Sequence, residues 1–168
     1  MGDLALRFIR WGTGLLILGL VTGFGPLGHY LLGGAIPSCP AAPVHGHAIL
    51  LGWVGMTLFG LVYRAIGDWP SGRPPSLALV RAHFHLSVVG MLGAWANGTF
   101  GYGLLSALRP GFYYEPHMPT LRLWVGLTGV FLSVYAVGCL LFAWVVFRST
   151  APIGELERRE GPSGTPER

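Results

Sequence analysis

Four apolar stretches alternate with short polar or Pro/Gly-rich connections along this chain. A spanning helix needs about 20 predominantly apolar residues, and the pattern predicts spans over about 11–32, 44–66, 77–105 and 120–147. The connections have readable causes. Residues 33–43 carry glycines and prolines and no charge, and GDWPSGRPP over 67–75 is dense in turn residues. RPGFYYEPHMP over 109–119 is too polar to cross, and its Phe112, Tyr113 and Tyr114 suit a membrane interface. Pro26 is expected to kink the first span, because it removes a backbone donor. Asn97, Gly98 and Gly101 are expected to make the far end of the third less regular. Residues 150–168 are rich in Glu, Arg, Gly and Pro, with no apolar face to bury, and are expected to form a disordered tail after a membrane domain over 1–149. The first apolar run is too long for a secretory signal, and no cleavage pattern follows it. The predicted class is all-α, an integral membrane four-helix bundle.

Composition agrees with that class and adds an orientation. Of the 168 residues 52% are apolar and 11% charged, against about 25% charged in a soluble domain. The net charge of +4 comes from arginines alone, since there is no lysine. With four spans both termini share a side, together with Arg7, Arg10, Arg64, Arg73, Arg81 and Arg148, while Arg109 and Arg122 fall on the other. The positive-inside rule then puts both termini in the cytoplasm. The expected surroundings are the lipid bilayer, with no nucleic acid, because no basic stripe lies on a soluble face. Cys39 and Cys139 are far apart, one in a connection and one in mid-span, and neither belongs to a CxxC or c-type haem pattern. No phosphate loop, nucleophile elbow or HExxH occurs, so no catalytic residue is assigned.

The chemistry lies in the histidines. A lone histidine near a helix end, such as His29 or the loop residue His117, is ordinarily an interfacial group. His45 and His47 open the second apolar run and His83 and His85 the third, where imidazoles are costly unless paired or ligated. Residues i and i+2 on a helix are about 200° apart, so neither pair can chelate one ion from a regular helix. Each pair can serve two sites, one per face. That suits haem, whose iron takes one imidazole per side from separate helices. A compact copper centre is the alternative and needs a break in a helix or a third ligand such as His29 or His117. Gly46, Gly52, Gly55, Gly60, Gly90 and Gly93 allow close helix approach or a flat ligand against backbone. Trp53, Phe59, Tyr63, Phe84 and Trp95 are candidate pocket walls, and Arg64, Arg81, Arg109 and Arg122 candidate propionate partners or headgroup contacts.

Two segments carry a family resemblance. RAHFHLSVVGMLGAW, Arg81–Trp95, resembles the AHFHYVLSMGA segment of subunit I of haem–copper oxidases. HGHAILLGWVGMTLFGLVYR, His45–Arg64, resembles that family's second helix and the HTNLLxxWLLFGF run of nitric oxide reductases. The whole chain resembles short four-helix bacterial proteins grouped with oxidase subunit I, which carry HAHxxLLGW followed by HFW. The resemblance implies b-type haem in a bacterial or archaeal cytoplasmic (inner) membrane. His47 and His85 fall near opposite ends of antiparallel helices, roughly 20 Å apart in depth, so one haem cannot take both and one or two haems per chain are expected. His45 or His47 would be a low-spin haem ligand, His83 a second haem ligand and His85 a low-spin ligand. A full subunit I has many more spans, and this chain lacks both the further histidines of a copper partner and a His–Tyr motif. What the resemblance implies is thus a cytochrome b-like electron-transfer protein, handling quinol or a periplasmic carrier, as a homo-oligomer or a respiratory-complex subunit. Alternatives are a small haem oxidoreductase or sensor for oxygen or nitric oxide, and a copper-binding or oxidase assembly protein.

Overall fold

The computed structural model describes residues 2–31, 42–69, 73–104 and 118–150, and it contains four helical rods and, among the described residues, no strand. Helix α1 is Gly2–Leu31. Helix α2 covers 42–67 and joins Ala42–His47, a π-helical stretch Ala48–Gly55, and Met56–Gly67. Helix α3 covers 77–104, with Leu77–Ala96 passing into a second π-helical stretch, Asn97–Leu104. Helix α4 is Met118–Thr150.

The four rods coincide with the four predicted spans, and the ends differ for physical reasons. Helix α1 begins well before residue 11. Its first turns bury Leu4, Ala5 and Phe8 and expose Asp3, Arg7 and Arg10, a 3.6-residue period that a search for unbroken apolar runs passes over. The helix also continues past Pro26 to Leu31. The irregular far end expected for the third span is the π-helical stretch, where the wider turn replaces the α ladder. The expected tail, most of the first connection and the aromatic 109–117 segment lie outside the described residues, as does Cys39.

Each rod holds a segment long and apolar enough to cross a membrane: Gly2–Phe24, His45–Gly67, Leu77–Gly101 and Arg122–Thr150. Their outer faces expose large apolar side chains, among them Ile17, Val21, Leu61, Val89, Leu140 and Phe147. Such faces would associate in water and are matched by lipid.

Inside, α1 packs on α2 and α3 on α4, each pair antiparallel. Gly60 lies against Ala5 and Phe8, Gly12 against Trp53, and Gly19 against His45. A Cβ at Gly60 would stand 2.7 Å from the Ala5 carbonyl oxygen, so only a glycine lets these backbones meet. On the other pair, Gly93 abuts the Phe131 ring and Gly101 the Trp124 ring. Asn97 Nδ2 donates to the Trp124 carbonyl at 2.8 Å and to Thr128 Oγ1 at 2.6 Å. The two pairs are joined by Tyr135, whose hydroxyl donates to the Leu51 carbonyl at 2.9 Å inside the π-helical part of α2.

Candidate functional site

His83 is the one described histidine wholly withdrawn from the surface, at 0% exposure. It sits on α3 where the other three helices converge. Ring centroids of Phe8 from α1, Phe59 from α2 and Phe142 from α4 stand 5.0, 4.7 and 5.4 Å from its own. The Tyr63 hydroxyl of α2 and His83 Nδ1 are hydrogen-bonded at 2.9 Å. The other nitrogen, Nε2, is buried without any partner.

One turn further along α3, Ser87 Oγ is also buried and unpartnered. Gly138 of α4 faces both groups: a Cβ there would lie 3.2 Å from Ser87 Oγ and 3.4 Å from His83 Cδ2. A buried polar atom left unmade costs about 1–3 kcal/mol. Both lie against a glycine of the facing helix, packed too closely there for a larger side chain, in an otherwise aromatic enclosure. With the proton on Nδ1 donated to the Tyr63 oxygen, Nε2 presents a lone pair, the arrangement a metal-ligating imidazole requires.

The remaining candidates are placed differently. His85 is exposed on the outer face of α3, its ring edge-on to Phe84 at 5.5 Å, as the angular offset from His83 demands. His45 is half-buried, with its Cδ2 under Gly23, where a Cβ would come within 3.2 Å. His47 is exposed, and so are Arg64, Arg81 and Arg122. His29 belongs to α1, but its side chain, together with His117 and Arg109, lies outside the described residues. At about 1.5 Å per residue, the His45/His47 level is roughly 20 Å along the bundle from the His83/His85 level. Among the described residues no group of three His, Cys, Asp or Glu side chains comes together.

Of the candidate walls, Phe59 and Tyr63 meet His83. Phe84 packs instead on Phe8, Trp95 lies by Phe100 with its Nε1 buried and unpartnered, and Trp53 is exposed. Phe8, Phe142, Ser87 and Gly138 were not legible as site residues. Phe8 falls in phase with Leu4 and Leu15, which signals an inward face, whereas nothing local singles out the other three.

No family model, no curated protein and no solved structure matches this chain. Fold and site together define a bundle of membrane-length helices with an aromatic-enclosed imidazole at the crossing. The Nε2 lone pair of His83 has the donor chemistry of an iron ligand, but the ring lies in a closed aromatic core and not in a porphyrin-sized pocket. Rings from the three other helices stand within 5.7 Å of the imidazole centroid, so a group of that size enters only if helices part there.

Proposed function

We propose that this protein is a membrane haem-binding protein of the cytochrome b kind, with His83 as the residue that would hold the iron and electron transfer as its activity. The observation that carries the reading is the free Nε2 of a fully buried imidazole whose Nδ1 is already held by Tyr63. A buried nitrogen without a partner is unfavourable in the bare chain and becomes favourable on ligation.

In this reading Tyr63 fixes the ring orientation of His83, and the phenylalanines around it exclude water. Arg64 and Arg81, exposed toward the same end of the bundle, offer guanidinium forks to propionates. Haem, when bound, supplies one-electron redox chemistry. His85, on the outer face, would hold a haem shared with a second copy of the chain, and His45 with His47 would hold one at a second level nearer the other side. Haem at both levels would supply a route for electrons between quinol and a carrier on the far side. The resemblance to oxidase subunit I supports the same assignment, and the arginine bias favours an orientation with both termini in the cytoplasm.

The test is the reduced-minus-oxidised spectrum of protein purified from haem-replete cells. The expected result is a sharp α-band that His83→Ala diminishes or removes. Colourless wild-type protein would sink the proposal, and a spectrum shifted by carbon monoxide would replace the electron carrier with an enzyme or sensor having an open iron position.

A further inference from the structure

At the end of the bundle where α3 begins and α4 finishes, a cleft of about 380 Å³ opens between the two helices. Its polar wall is Arg73, Ser76, Arg148 and Ser149, and Leu79 and Val145 supply apolar surface. Among the described residues no carboxylate pairs with either guanidinium. Ser149 is only 3% exposed and lines the cleft.

The start of α3 adds donors. Ser76 occupies the N-cap position without a side-chain cap bond. The first intrahelical bond runs from Val80 N to the Ser76 carbonyl at 3.1 Å, so the N–H groups of the preceding turn are left open at the positive end of the helix dipole. The side chains of two arginines and two serines thus line one space beside the start of α3, whose first N–H groups have no intrahelical acceptor, and all of them favour an anion.

We propose that this cleft binds the phosphate of an anionic phospholipid. Its level in the bilayer argues for lipid over a free anion. Leu77 opens one membrane-length segment and Thr150 closes another, which puts the cleft at headgroup depth. Leu79 and Val145 then lie where the glycerol and upper acyl carbons of a lipid would run, contacts that inorganic phosphate does not make. The assignment is independent of haem.

The experiment is native mass spectrometry of the full chain released from nanodiscs of phosphatidylcholine with and without phosphatidylglycerol. Wild type is expected to retain phosphatidylglycerol selectively. Arg73→Gln and Arg148→Gln are each expected to cut that retention roughly tenfold, the loss of one charge-assisted contact. Arg10→Gln, on an exposed arginine of α1, should leave it unchanged. Arg148 is exposed, so its variant keeps the test usable where Arg73→Gln disturbs folding. Equal retention by wild type and Arg148→Gln, equal retention of both lipids, or displacement of the lipid by equimolar inorganic phosphate would each overturn the proposal.

Discussion

The imidazole of His83 and the phenol of Tyr63 are the residue-scale unit, because each answers a need of the other inside an apolar crossing. A hydrogen bond between membrane helices is worth about 0.5–2 kcal/mol. Tyr63→Phe removes it while keeping the ring that packs on Phe8 and Phe142. The expected outcome is a loss of about 0.5–2 kcal/mol in the unfolding free energy measured in detergent, with a weakened or displaced haem band if His83 ligates iron. A larger side chain at Gly138 overpacks the enclosure of His83. Gly138→Leu drives a side chain at Ser87 and His83. It is expected to abolish pigment at the His83 level while the protein still inserts, read from the spectrum and from membrane fractionation. Full pigment in Gly138→Leu would place any haem elsewhere.

Helices pair here through absent side chains. Lipid tails are as apolar as leucine, so close backbone approach and dispersion hold the rods together. Gly60, against the Ala5 carbonyl, is a contact point of α1 with α2, whereas Gly126 on α4 has nothing within 4 Å. Gly60→Leu is therefore expected to cost about 1–3 kcal/mol by overpacking, and Gly126→Leu close to nothing. Thermal unfolding of the two variants side by side checks this, and equal effects would contradict the helix pairing. Asn97 is the polar counterpart on the α3–α4 pair. It holds the Trp124 carbonyl where the π-helical turn begins.

For the whole molecule, the arginine bias makes a statement about sidedness that the bundle's own geometry leaves open. Reporter domains fused at either terminus are expected to be active only on the cytoplasmic side, while a reporter placed in the 105–117 connection should report the opposite side. An external signal from either terminus would reverse the orientation and, with it, the direction assigned to the two histidine levels.

The sequence determined the four spans, because hydropathy is a local quantity that adds up residue by residue over a helix length. It also determined that His83 and His85 face opposite ways, since the helical repeat fixes that angle. Which of the two turns inward was decided by the tertiary structure alone. A helix apolar on all sides has no polar face to point away from the core. The rotation of α3 was instead set by Gly90 and Gly93 seating on Tyr135 and Phe131, a fit between residues some forty positions apart. The same packing brought Phe8, Tyr63, Ser87 and Gly138 around one imidazole, a grouping that no spacing along the chain contains.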